Sequence, residues 1–238
     1  MRADSTFRLQ DKNIAIIGSF SNLTQNLMAS FCEYGSDVAL LGPSSREAAR
    51  YAENLTDTRE IHSSNGRVFA LEADLSTADG AREGLTKAAQ SFGGIDVVID
   101  TRPLLVLGPA AAPESGFIAE AFKFLEGRGK GRMIFLNYDP ALAGGSAEGL
   151  QNFVVSQAKD VIAKNITVNL VTLGVTEEYL LKKFPKMPSI KLAFAELVKE
   201  NPRAKMIDGK EIAYTVAFLA SPLCTSLTGQ NLILSAAL

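Results

Sequence analysis

The sequence predicts an α/β fold: a doubly wound parallel sheet of about seven strands with helices on both faces, residues 1–238 forming a single domain. Three observations predict it. Short apolar runs alternate with segments of helical periodicity along the chain. The runs are almost continuously apolar, as strands buried on both faces are, and right-handed crossovers then wind helices onto both sides. With 238 residues, 47% of them hydrophobic and 21% charged, the chain can bury one full core, and a second domain is not expected.

Ile14, Ile16 and Ile17 make the first strand, which Gly18 stops, and Leu23, Leu27, Phe31 and Cys32 recur at the spacing of a first helix. The turn from Gly18 to Thr24 therefore joins a strand's C-terminal end to a helix's N-terminus, where a dinucleotide-binding fold holds phosphate against unpaired N–H groups. Asp37 to Leu41 is a second strand, Ser45 to Leu55 a helix rich in Ala and Glu, and Arg67 to Ala73 a third strand. Ala78 to Phe92 is helical, with Ala81, Leu85, Ala88, Ala89 and Phe92 on one face. Ile95 to Ile99 is the fourth strand, and a Pro- and Ala-rich loop, Arg102 to Pro113, leads to a helix from Phe117 to Leu125. Arg132 to Leu136 is the fifth strand, Glu148 to Lys164 a helix, and Ile166 to Val171 the sixth strand. A polar excursion with a helix near Lys191 to Lys199 follows. Asp208 then caps a helix to Leu219, and Gln230 to Leu234 is the seventh strand. Ligands of such sheets bind beyond the strands' C-terminal ends, here Gly18, Gly42, Asp74, Asp100, Asn137 with Tyr138, and Gly174.

A formal charge of −2 without a basic stripe gives no electrostatic ground for nucleic acid or an anionic membrane as partner. Cys32 and Cys224 are expected as buried reduced thiols, so neither a disulfide scaffold nor a metal site follows. The opening MRADSTFRLQDKN lacks the apolar core of a signal peptide, and no run approaches about 18 apolar residues. A cytoplasmic location is expected.

Together these features resemble the short-chain dehydrogenase/reductase family over essentially the whole chain. The likeness is carried by KNIAIIG, Asp74-Leu75, GGIDVVID, GRMIFLN, NITVNLVTLG and, most specifically, by EIAYTVAFLASPLCTSLTGQNLIL. It implies one Rossmann-type domain, a nicotinamide dinucleotide, and a hydride-transfer site of Tyr, a Lys four residues on, Ser and Asn. Several positions depart from that pattern. Of the three phosphate-turn glycines only Gly18 remains, the others falling on Asn22 and Thr24. Asn22 tolerates a left-handed backbone. Thr24 does so only at a cost of about 1–2 kcal/mol, and its side chain fills space the family leaves open. An ordinary turn capped by Ser21, Asn22 or Thr24 fits better than an intact phosphate loop.

The second strand ends in Gly42-Pro43-Ser44-Ser45-Arg46, which offers no carboxylate for a ribose diol, whereas Arg46 suits a 2′-phosphate or is simply solvated. Asp74 and Leu75 keep the family's adenine-edge pair, although Asp74 also serves as a helix cap would. Asp100-Thr101-Arg102-Pro103 replaces Asn-Asn-Ala-Gly, and Pro103 removes a backbone donor. The residual cofactor candidates are Gly18, Ser19, Arg46, Asp74 and Leu75.

The Ser position corresponds to Tyr138, after Asn137. The Tyr and Lys fall on Ala143 and Ala147 when counted back from NITVN, or on Phe153 and Gln157 by the local FVVSQA match. A phenol has a pKa of about 10 and needs a neighbouring cation to exchange protons at neutral pH, and in neither alignment does the pair survive. Lys159 lies about 16 Å along its helix from the start, too deep to substitute. Tyr179 and Lys183 are read as part of an amphipathic surface helix, His62 as a solvated loop residue and Asp139 as a carboxylate without a partner. The relay Asn has no counterpart, and Ala236-Ala237 stand where relatives often carry Gly-Gly.

The expectation is a non-catalytic member with no cofactor, or NADP if any. It would support a catalytic homologue in a hetero-oligomer, a dimer or tetramer. Family heteromers with one degenerate subunit are known, 2-[hydroxy(phenyl)methyl]succinyl-CoA dehydrogenase of the benzylsuccinate pathway being one type. The alternatives are an NADP-dependent oxidoreductase using Tyr138 or Asp139 unconventionally, and a sensor that binds a dinucleotide or metabolite without turnover.

Overall fold

The computed structural model describes residues 7–61, 66–105, 107–108, 113, 115–144 and 148–235. One seven-stranded parallel sheet runs through it: β1 (Asn13–Ile17), β2 (Asp37–Gly42), β3 (Val68–Glu72), β4 (Val97–Asp100), β5 (Gly131–Tyr138), β6 (Ile166–Leu173) and β7 (Asn231–Leu234). The strand order is β3-β2-β1-β4-β5-β6-β7, so it reverses between β1 and β4.

The helices are α1 (Asn22–Glu33), α2 (Arg46–Ile61), α3 (Ala78–Phe92), α4 (Ser115–Glu126), α5 (Pro140–Ala143), α6 (Glu148–Val161), α7 (Glu177–Lys183), α8 (Ile190–Glu200) and α9 (Gly209–Ala220). Alternate residues of each strand face opposite sides. Ile14 and Ile16 join Leu27 of α1, Ala52 of α2, Leu197 of α8 and Val216 of α9 in one core, and Tyr179 of α7 belongs to it. Ala15 and Ile17 join Leu85 of α3, Phe117 of α4 and Val154 of α6 in the other.

Most elements lie where periodicity places them, and α3 matches to the residue. The differences follow from caps and burial. Helix α2 continues past Leu55 to Ile61, and β5 and β6 each run two residues further than expected because those residues are buried. Strand β4 starts at Val97 rather than Ile95. Helix α5 was not foreseen: Asp139 caps its start, Pro140 sits in its first turn, and Gly144 ends it in the left-handed conformation, too short a segment to show a period. Among the described residues no helix is long and apolar enough to cross a membrane, and no group of three acidic, His or Cys residues is arranged to hold a metal ion. Cys32 and Cys224 are buried and free of disulfides.

Candidate functional site

The reversal of strand order makes the crevice beyond β1 and β4 the place to look. Gly18 stands there under steric compulsion. A Cβ at residue 18 would lie 1.9 Å from Thr101 Oγ1, at φ +154°, and one at Gly42 would lie 2.1 Å from the Gly18 carbonyl oxygen. Thr101 fills that space because its Oγ1 donates to the Ile17 carbonyl at 2.8 Å.

The turn after Gly18 folds in on itself. Ser21 caps α1 in a box: Thr24 N–H donates to Ser21 Oγ at 3.3 Å and Ser21 N–H to Thr24 Oγ1 at 2.8 Å. The Thr24 hydroxyl also donates to the Ser19 carbonyl at 3.1 Å. Asn22 and Thr24 lie inside the helix, and neither has positive φ. The strain expected of Thr24 is therefore absent, and what the residue changes is space and hydrogen bonding. The next helical amide is engaged too: Leu23 N–H donates to Glu178 Oε1 at 2.5 Å, a carboxylate arriving from α7.

Beyond β2 a cavity of about 190 Å³ is lined by Gly18, Phe20, Gly42, Pro43, Ser44 and Ser45 among others. Ligand pockets run to roughly 300–1,000 Å³. Arg46 is exposed, does not line this cavity, and forms no ion pair among the described residues. Asp74 is exposed and accepts from Ser76 N–H at 2.9 Å and Ser76 Oγ at 2.6 Å, bonds that hold its pKa down. The cap of α3 is Thr77, not Asp74, and Leu75 packs against the α3 side of the sheet. Of the five cofactor candidates, only Gly18 lines this cavity; Ser19 contributes a carbonyl to the closed turn.

After β4, Asp100 is fully buried and held by Arg102, whose backbone N–H and Nε donate to Oδ1 at 3.0 Å and whose Nη2 donates to Oδ2 at 2.7 Å. The guanidinium lies 4.0 Å from the Phe117 ring centroid. This charge pair is spent on the fold.

At the end of β5, Tyr138 is 1% exposed, and its hydroxyl is buried with no hydrogen-bond partner among the described residues. Burial drives its pKa well above the usual phenol value, and nearby Thr176 offsets this only in part. The Tyr179 ring meets it edge-on at 5.6 Å between centroids, and Lys182 Nζ lies 5.6 Å from the Tyr138 ring centroid. Burial lowers the Lys182 pKa.

Tyr179 corrects an expectation: it is not a surface residue but wholly buried, and its hydroxyl donates to the Leu142 carbonyl at 3.2 Å. Burial raises its pKa although Lys183 pulls the other way, and Lys183 itself donates to Glu200 at 2.7 Å. Asp139 acquires a partner after all, accepting from Ala141 N–H at 2.9 Å as the cap of α5. Asn137 is buried in β5.

The other inferred catalytic positions do not converge on Tyr138. Phe153 of α6 packs edge-on to Phe135 at 6.0 Å, in the core on the opposite face of the sheet, and Gln157 is half-buried on the same helix. Ala143 packs on the Tyr138 side. Lys159 is exposed. His62, Ala147 and Ala236-Ala237 lie outside the described residues. Glu178 and Lys182 were missed by sequence reasoning. An acid in a helix's first turn is a common local pattern, and nothing in it signals a reach across 155 positions to Leu23.

At this edge the Leu23 and Thr24 amides of α1 are engaged by Glu178 and Ser21, and the adjoining cavity holds about 190 Å³.

Comparison with known proteins agrees with the fold. Residues 130–236 match a family model described as enoyl-(acyl carrier protein) reductase. The chain is 24% identical to versicolorin reductase stcU of Emericella nidulans, covering 97% of this chain and 96% of that protein. It is 22% identical to the 3-oxoacyl-[acyl-carrier-protein] reductase FabG of Staphylococcus aureus, covering 93% and 95%. Among solved structures, levodione reductase superposes with a TM-score of 0.77 at 17% identity, covering 96% and 97%. L-sorbose reductase from Gluconobacter frateurii, solved with NADPH and L-sorbose, gives 0.74 at 17% identity, covering 95% and 96%. Over residues 130–236 the chain is thus similar to an enoyl-(acyl carrier protein) reductase model, and over nearly its whole length it is similar to proteins named as reductases and shares their fold.

Proposed function

We propose that this chain is a non-catalytic subunit of short-chain dehydrogenase/reductase fold that supports a catalytic homologue in a hetero-oligomer. One observation carries the reading: the two phenols near the strand ends, Tyr138 at the end of β5 and Tyr179 in α7, are buried, turned to packing and a backbone carbonyl, and have raised pKa values. Proton exchange at neutral pH needs a group that reaches substrate and titrates near pH 7. Asp139 is engaged as a helix cap.

The face available to a partner is that of α9 and β7, where Tyr214, Phe218 and Ile233 stand 53%, 47% and 61% exposed. The test is purification alone and with a co-encoded relative. The chain alone should oxidise no NADPH with small ketones or aldehydes, and should co-purify with the relative. A homo-oligomer that turns over NADPH and ignores the relative overturns the reading.

A second reading, an NADP-dependent short-chain oxidoreductase with an unconventional site, is favoured by the relatives, several of them named as reductases, and by neighbours solved with NADPH or NAD+. Gly18, Ser19 and Arg46 would then hold the cofactor once the α1 turn is freed. Binding of NADPH without turnover in any combination would instead favour a sensor.

A further inference from the structure

Helix α1 begins with amide groups that no residue of the helix itself can satisfy, and its positive dipole end favours an anion there. In this chain the anion is internal. Glu178, half-buried in the first turn of α7, places Oε1 2.5 Å from Leu23 N, a charge-assisted hydrogen bond across the crevice. It adds to the capping box, which engages the Ser21 and Thr24 amides but not that of Leu23. Nor is Glu178 fixed by tight packing. A cavity of about 320 Å³ adjoins it, lined by Asn22, Asn26, Thr176 and Asp208 among others, and the smaller cavity opens on the Gly18 and Phe20 side of the same turn. Lys182, one turn along α7, is near enough for Glu178 to favour its charged form.

We propose that Glu178 is an internal substitute for a dinucleotide's phosphate and one of the groups that keep NADP(H) from this chain. It does so in two ways. Its oxygen takes the amide that a phosphate oxygen would need, and its negative charge repels a phosphate brought to the same place. The proposal rests on the reading that the native chain holds no dinucleotide, and it adds that Glu178 is a removable part of the block, beside the turn closed by Ser21 and Thr24.

The test titrates NADPH into the full chain and into Glu178→Ala, Glu178→Gln and Glu177→Ala, following cofactor fluorescence, with amide hydrogen exchange at Leu23 read in parallel. Wild type and Glu177→Ala should show no saturation at about 1 mM NADPH. Glu178→Ala should bind at least about tenfold more tightly than wild type, with Glu178→Gln in between because it keeps an acceptor but loses the charge. Without cofactor, Leu23 exchange should speed up in Glu178→Ala. The proposal falls if wild type binds NADPH as well as the variants do, or if folded variants with faster Leu23 exchange still bind none. That second result leaves the non-catalytic reading standing. A variant that binds NADPH and also turns it over upholds the role of Glu178 and overturns the non-catalytic reading. Glu178→Gln, near isosteric, decides the matter should Glu178→Ala fail to fold.

Discussion

A buried hydroxyl without a hydrogen bond costs free energy, and the Tyr138 hydroxyl at the end of β5 has no hydrogen-bond partner among the described residues. Tyr138→Phe should therefore leave stability unchanged or raise it by up to about 1 kcal/mol in urea unfolding, whereas a tyrosine serving as general acid would give an inactive variant. The pH dependence follows from the raised pKa. The folded chain keeps the phenol neutral at pH values where the unfolded chain ionises, so this contribution is constant below the unfolded pKa of about 10 and is lost as pH rises beyond it. Tyr138→Phe should flatten the alkaline fall of stability. Arg102 is the opposite case. Its guanidinium is the counter-charge of a fully buried Asp100, and Arg102→Met should cost about 3–5 kcal/mol in the same assay, while Arg102→Lys, which keeps the charge but not the two-pronged geometry, should cost less.

At the scale of elements, the close approach of β1, β2 and the segment after β4 depends on two glycines. Gly18→Ala should destabilise by about 2 kcal/mol or more, and Thr101→Ala in the same chain should recover part of that loss by removing the atom 1.9 Å away, a coupling that a double-mutant cycle would read directly. The fold itself was legible because the strands are apolar runs and the helices have clear faces. Helix α3 could be read to its ends from its amphipathic period, and Thr77 and Gly93 cap it in the structure. Helix α5 could not, because four residues hold barely one turn. The site was legible only as loss. The missing Tyr and Lys are visible from residue types alone, and so is the capped turn at Ser21, but the backbone cost read at Thr24 does not arise because that residue is helical. Tyr179 reads as surface because its neighbours are charged, and only the packing of α7 against β5 reveals it as core. Glu178 meeting Leu23 is a tertiary contact that no local pattern encodes.

At the scale of the whole molecule, the exposed α9 and β7 face is the one on which the proposed association rests. Phe218→Glu or Ile233→Lys should abolish co-purification with a catalytic homologue while shifting the folding free energy by no more than about 0.5 kcal/mol, since both side chains are exposed in the single chain; sedimentation and thermal unfolding would check the two halves of that statement. The same face carries a second liability. Strand β7 is the last in the sheet, bonded to β6 on one side, and among the described residues no strand pairs with its outer groups. Such an edge, flanked by exposed Ile233, is a template for any extended chain that meets it. On the proposed reading, the chain during synthesis would be divided between a catalytic homologue and copies of itself. The recoverable yield should therefore rise with co-translation of the neighbour and fall with expression level when the subunit is made alone, making stoichiometry in the cell a determinant of whether the protein accumulates at all.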